Sequence, residues 1–150
     1  MGSLLRTADG LGINKVYMTG ITPYPIEKND ARMPHISRKV HKQIQKTALG
    51  AEETVRWSYA ENLQDVIDLL HADHYVVMGL EQSPESVSLL DIKLATRIAL
   101  IVGNEVDGLN PKALNACDYV IEIPMYGKKE SFNVVEATTM ALYHCRFFNA

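Results

Sequence analysis

Cysteine is scarce in this chain, with only Cys117 and Cys145 among 150 residues. The two form neither a CxxC pair nor a framework of even spacings, which excludes a disulfide scaffold and leaves two buried, reduced thiols. No apolar run approaches the roughly 20 residues needed to span a bilayer. The start of the chain also lacks the basic-then-apolar pattern of a signal peptide. A soluble, cytoplasmic protein with no membrane partner is expected. An excess of positive charge is missing too: the net charge is −3 and the pI about 5.9, so the global field mildly repels nucleic acid. Any polyanion must therefore be met by a local patch.

Signatures of phosphate, metal and hydrolase chemistry are absent as well. There is no GxxxxGK[ST] loop, and no GxGxxG follows an early strand, which argues against a phosphate-cradling nucleotide site. No HExxH or paired CxxC occurs and the five histidines are scattered, so no metal is expected. A Ser-His-Asp hydrolase places its serine on a GxSxG-like elbow, whereas Ser131 sits in KESFN.

What is present reads as one domain over residues 1–150, long enough to bury roughly two thirds of its unfolded surface. Leu4 to Leu11 reads as a helix and Lys15 to Gly20 as a short strand closed by glycine. The proline-rich stretch Ile21 to Pro34 reads as a loop of a length that suggests a working role. His35 to Leu49 reads as a helix stopped by Gly50, Thr54 to Trp57 as a short strand, and Glu61 to His71 as a helix with apolar residues at helical spacing. His74 to Leu80 and Arg97 to Gly103 are continuous apolar runs, as in parallel strands covered on both faces. Asn110-Pro111 supplies an N-cap and a proline at the first helical position. A strand at Tyr119 to Ile123 and a terminal helix at Phe132 to Phe148 complete the pattern. The alternation predicts an α/β fold, with a mostly parallel sheet and helices on both faces.

In such folds ligands bind outside the carboxyl ends of the strands. If the strands ending near Leu80, Gly103 and Ile123 are neighbours, their turns converge on one crevice with the carboxylate of Glu105 at its mouth. Taken alone, GNEVDG (Gly103 to Gly108) reads first as an ordinary strand-to-helix turn, and Ser131 with Asn133 as an N-cap pair. Between Asp30 and Glu52 there is no acidic residue, while Arg32, Arg38, Lys39, Lys42 and Lys46 all fall there. That stretch is either a solvated helix face or a place for RNA phosphates. Tyr24 and Trp57 are candidates for base stacking, although core packing is the stronger reading for the tryptophan.

Read together, LLRTADGLG, LIVGNEVDGL and CDYVIEIPMYGKKESFNVVEA resemble, in order and separation, the three motifs of the SpoU/TrmH branch of the SPOUT RNA methyltransferases. The resemblance runs through nearly the whole chain. It implies an S-adenosylmethionine-dependent transfer of a methyl group to a ribose 2′-hydroxyl of tRNA or rRNA. It also implies a C-terminal trefoil knot, which general topology rules would not suggest, and a homodimer formed through the knot region, with Leu142 and Phe147 at the interface. Carried across, the motifs assign donor binding to Leu80, Gly103, Glu105, Ile123, Met125, Ser131, Phe132 and Asn133. Catalysis falls to Arg6, Glu105, Ser131 and Asn133, and RNA contact to Arg6 and the basic stretch. Arginine is a poor free base, with a pKa above about 12, so phosphate clamping and electrostatic help are its expected work; without the motif it is simply a surface helix arginine.

Two departures from the family pattern stand out. The first motif, NxGxxxRTA, opens with an asparagine that would fall one place before Met1, and the usual first strand would precede it. The expectation is a chain truncated at its start. Val135 and Glu136 stand where small and apolar residues are usual. The missing asparagine also motivates a rival, a non-catalytic RNA-binding or scaffold paralogue that keeps the knotted donor-binding fold. A flavodoxin-like domain for another small nucleotide is a weaker third reading.

Overall fold

The computed structural model describes residues 1–148, and the chain packs as two compact units, Met1–Leu63 and Gln64–Ala150. In the first unit, α1 (Gly2–Gly10) leads to β1 (Val16–Thr19), and α2 (Pro34–Ala48) and α3 (Ala51–Thr54) lead to β2 (Trp57–Ala60). The two strands pair in parallel, with Val16 beside Trp57 and Thr19 beside Ala60. Leu5, Ala8, Met18, Ile44, Ala48 and Val55 form the core beneath them. Helix α1 lies so close to α2 that a Cβ on Gly2 would fall 2.2 Å from Thr47 Oγ1 and 2.3 Å from the Ile44 carbonyl oxygen. Only glycine fits there.

Two sequence expectations are corrected here. The stop of α2 falls on Leu49, which itself takes the left-handed conformation at φ 53° and donates its N–H to the Gln45 carbonyl. Gly50 follows at φ 96° and donates to Glu52 Oε2 at 3.1 Å, so a new helical turn, α3, begins at once. The short strand expected at Thr54 to Trp57 therefore starts later, at Trp57. Its tryptophan donates Nε1–H to the Glu52 carbonyl at 3.0 Å, a fixed core position and not an open stacking platform.

The proline-rich loop is closed by Arg32. Its Nε and Nη2 donate to the two oxygens of Asp30 at 2.8 and 2.5 Å, while Nη1 and Nη2 donate to the carbonyls of Tyr24 and Pro25 at 2.9 and 3.0 Å. The guanidinium lies 3.5 Å from the centroid of the Tyr24 ring, which stacks in turn on Tyr59 at 4.1 Å. Arg32 is thus committed to the loop's own fastening and stands apart from the open cations of α2. The hydrogen bonds from Arg32 pull the Asp30 carboxyl down from 3.8 to about 2. A depressed carboxylate pKa contributes stability that is full above the unfolded value and lost as pH falls through the folded one. Replacing Arg32 with methionine is accordingly expected to destabilise the protein by about 2 kcal/mol near neutrality. Denaturant titrations of both proteins should show that gap narrowing between pH 4 and pH 2, with the carbonyl and ring contacts of Arg32 leaving a remainder; a gap independent of pH would refute the assignment.

The second unit holds nearly all of α4 (Leu63–Ala72), then β3 (Val76–Leu80), β4 (Val87–Ser88), β5 (Ile98–Val102), α5 (Pro111–Asn115), β6 (Tyr119–Glu122) and α6 (Val134–Phe147). Its sheet runs β4-β6-β3-β5, every pair parallel. Of the two apolar runs expected at the sheet's centre, β3 lies inside it between β6 and β5 with Val77, Met78 and Gly79 buried, as its composition predicts; β5 instead ends the described order and its residues are half-buried. Met78, Leu89, Ile121 and Ala141 form the core. The two-residue strand β4 is too short to carry a periodic signal in the sequence. Asn110 caps α5 as expected, its Oδ1 accepting from Ala113 N–H at 2.9 Å. Cys117 and Cys145 are free and half-buried; burial, with Asp118 nearby, pushes the Cys117 thiol up to about 11, and burial raises Cys145 as well. Among the described residues, no helix is long and apolar enough to cross a membrane.

Candidate functional site

The register of β3 with its two neighbours decides where the site lies. Leu80 is paired with Val102 on one side and Ile121 on the other, so β5, β3 and β6 finish side by side. Their turns enclose a crevice of about 670 Å³, lined among others by Leu80, Gly103, Glu105, Ile123, Ser131, Phe132 and Asn133. That volume lies in the range of small-molecule and cofactor sites.

The turn after β5 is built by its own side chains. Asn104 Oδ1 accepts the N–H groups of Val106 and Asp107, both at 2.8 Å, and Gly108 N–H donates to the Asn104 carbonyl at 3.1 Å. The turn doubles back so tightly that a Cβ on Gly103 would stand 2.1 Å from the Gly108 carbonyl carbon, and Gly108 itself adopts φ +62°. The two glycines of the GxExxG spacing are thus required by close approach and by a left-handed backbone respectively.

Asn133 does two things at once. Its Oδ1 accepts from Val135 N–H at 2.9 Å and so caps α6, while its Nδ2 donates to Glu105 Oε1 at 3.1 Å. The start of the last helix is thereby tied to the turn after β5. Ser131 and Phe132 are exposed along the same wall. Met125, in contrast, does not line the crevice. Arg6 is exposed on α1 in the first unit, as are Arg38, Lys39, Lys42 and Lys46 on α2.

Sequence reasoning stopped at Leu80 and missed Glu81. This residue also lines the crevice, and its Oε2 accepts Leu109 N–H at 2.8 Å while Oε1 accepts Gln82 N–H at 3.1 Å. The only hint was a carboxylate placed directly after an apolar strand. The lining residues include Glu81, Glu105, Asp107 and Glu122, with no lysine, arginine or histidine among them. Charge is divided between the units accordingly. The first holds nine Lys/Arg against six Asp/Glu, a net +3; the second holds six against twelve, a net −6. Among the described residues, no group of three or more His, Cys, Asp or Glu side chains is placed to hold a metal ion.

Fold and crevice together define the class: an α/β protein with a crevice made by turns at the carboxyl ends of parallel strands, the place where such folds bind ligands. Within that class, residues 1–143 match the SpoU rRNA Methylase family, and the chain belongs to it. The resemblance drawn from the three motifs is borne out. Among its relatives is the tRNA (guanosine(18)-2′-O)-methyltransferase of Borreliella burgdorferi, 27% identical over 139 residues, 93% of this chain and 56% of that protein. The 23S rRNA (guanosine-2′-O-)-methyltransferase RlmB of Neisseria meningitidis serogroup B is 32% identical over 146 residues, 97% of this chain and 52% of that protein. A solved structure, the SpoU methyltransferase AviRb of Streptomyces viridochromogenes in complex with the cofactor AdoMet, superposes with a TM-score of 0.73 at 25% identity, over 96% of this chain and 53% of that one. The chain therefore spans about half the length of the curated relatives it matches.

Proposed function

We propose that this chain transfers a methyl group from S-adenosylmethionine to a ribose 2′-hydroxyl of tRNA or rRNA, within a fold that carries a C-terminal trefoil knot. The observation that carries the reading is that the GNEVDG and SFN turns, 28 residues apart at Glu105 and Asn133, meet in one crevice of suitable size. Its chemistry fits the donor: acidic lining without cations suits a ligand bearing a sulfonium and an ammonium group. Backbone groups around Leu80, Gly103 and Ile123, with Ser131 and Phe132, are the proposed donor contacts.

When bound, S-adenosylmethionine would supply a methyl group whose carbon the ribose 2′-oxygen attacks in line, the O–CH₃ bond forming as the S–CH₃ bond breaks, with S-adenosylhomocysteine as the leaving group and the hydroxyl proton passing to solvent water. The protein's task is orientation and relief of charge on the attacking oxygen. Glu105 and Asn133 hold the two turns in a fixed relation, and Ser131 offers a hydroxyl at the wall. Arg6 is the proposed clamp for a substrate phosphate, its guanidinium offering a fork of N–H donors to the phosphate oxygens. The exposed face of α2, with Arg38, Lys39, Lys42 and Lys46, receives further phosphates. Dimerisation through the last helix is supported by its exposed Tyr143 and Phe147, whose rings lie 4.7 Å apart.

The test combines calorimetry with S-adenosylhomocysteine and a transfer assay using labelled donor on bulk unmodified tRNA and rRNA. Binding, with label recovered as a 2′-O-methyl nucleoside, is expected. Binding without transfer would favour the non-catalytic paralogue, and failure to bind would sink the donor reading altogether.

A further inference from the structure

One residue outside the family motifs joins the three strands that make the crevice. Glu81 follows directly after β3. Its backbone N–H donates to the Ile121 carbonyl of β6 at 3.0 Å. Its carboxylate reaches the other way, to Leu109 N–H at the end of the β5 turn at 2.8 Å, and also takes Gln82 N–H of its own loop at 3.1 Å. Elements separated by up to 40 positions in sequence, from Glu81 to Ile121, are thereby held by a single side chain and its amide.

The turn is shaped around that carboxylate. A Cβ on Gly108 would lie 2.2 Å from Glu81 Oε2, and the backbone there already stands at φ +62°. Gly108 is thus bare where the carboxylate needs room, and Gly103 is bare where the turn folds onto Gly108. A hydrogen bond to a charged acceptor is stronger than one between neutral partners. No lysine or arginine competes for it, since the crevice lining holds none. We propose that Glu81 is the positioning residue of the methyl-donor turn: its carboxylate fixes the Gly103–Leu109 backbone in the form that receives the donor. The proposal rests on the donor reading given above.

Calorimetry and steady-state methylation with the full chain test it. Glu81→Ala is expected to raise both the Kd for S-adenosylhomocysteine and the KM for S-adenosylmethionine about tenfold, the scale of one charge-assisted bond removed. The KM for RNA should stay unchanged and kcat should move less than about threefold. Glu81→Gln, which keeps one acceptor oxygen for Leu109 but sets an amide where the carboxylate took Gln82, should fall between. Gly108→Ala, which presses a methyl group on Oε2 from the other side, should reproduce the alanine variant. Amide hydrogen exchange at Leu109 reports the turn directly and should quicken in all three variants. This readout and the conservative variant keep the test open even if Glu81→Ala folds poorly. Unchanged donor affinity in variants of a wild type that binds would overturn the role of Glu81 alone, as would a lowered melting temperature with no change in Kd. A wild type that does not bind S-adenosylhomocysteine would overturn the donor reading beneath it.

Discussion

Replacing Gly103 with alanine is expected to weaken S-adenosylhomocysteine binding by at least about a hundredfold. The new Cβ would stand 2.1 Å from the Gly108 carbonyl carbon, 2.4 Å from its oxygen and 2.6 Å from Leu109 N. All three are backbone atoms, so no side chain can swing aside to make room. The turn must open by an ångström or more, which removes the Leu109 N–H from Glu81 and moves the backbone edge of the crevice. Overpacking of this kind costs about 1–3 kcal/mol where a site can relax and more where it cannot. Gly108→Ala offers a graded comparison. Its Cβ meets only the far end of the Glu81 side chain, and its positive φ costs about 1 kcal/mol for a non-glycine residue. It should therefore be the milder change. Calorimetry on both variants decides: equal losses, or a Gly103→Ala protein that binds within threefold of wild type, would show that the turn is not rigid.

Neutralising the open face of α2 should have an effect as large on RNA and none on the donor. Arg38, Lys39, Lys42 and Lys46 are all exposed, and at helical spacing they occupy one side of the helix, away from the buried Ser37, Ile44 and Ala48. No acidic residue interrupts α2. Removing one phosphate-binding cation should flatten the plot of log affinity against log salt by roughly 0.7 to 0.9. A variant with all four changed to glutamine should lose about two to three orders of magnitude in RNA affinity near 0.1 M salt, with a slope shallower by about 3. Filter binding across a salt series measures both. The variant should keep its melting temperature, because exposed substitutions far from special features rarely matter by more than about 0.5 kcal/mol. An unchanged slope would relieve α2 of its proposed role.

The strands β3 and β5 were legible in the sequence as uninterrupted apolar runs, HYVVMGL and RIALIVG, but the runs alone did not tell the interior strand β3 from β5 at the end of the order. Their adjacency was a conjecture that only the register of Leu80 with Val102 and Ile121 could answer. Local chemistry was readable wherever it is sequential, as with Asn110 and Pro111 at the start of α5. It failed where a left-handed leucine took the place expected of Gly50, with Gly50 also at positive φ directly after it, a conformation that leucine's propensity does not announce. Arg32 falls in with its basic neighbours because a sequence shows charge but not the carbonyls of Tyr24 and Pro25 that engage it. Glu81 escapes notice for a similar reason: its decisive partner is a backbone amide 28 residues away. Such an amide carries no residue-type signature at all.

The two half-buried cysteines bear on how this protein can be watched. With its thiol raised to about 11, Cys117 holds roughly one thiolate in ten thousand at pH 7, and the thiolate is the form that electrophilic dyes attack. The native background to maleimide labelling at Cys117 is therefore slow, and burial works in the same direction at Cys145. A single cysteine placed on the crevice wall at Val106, which is exposed and is not among the proposed donor contacts, would carry a fluorophore and turn ligand entry into an optical signal without first stripping the chain of its own sulfur.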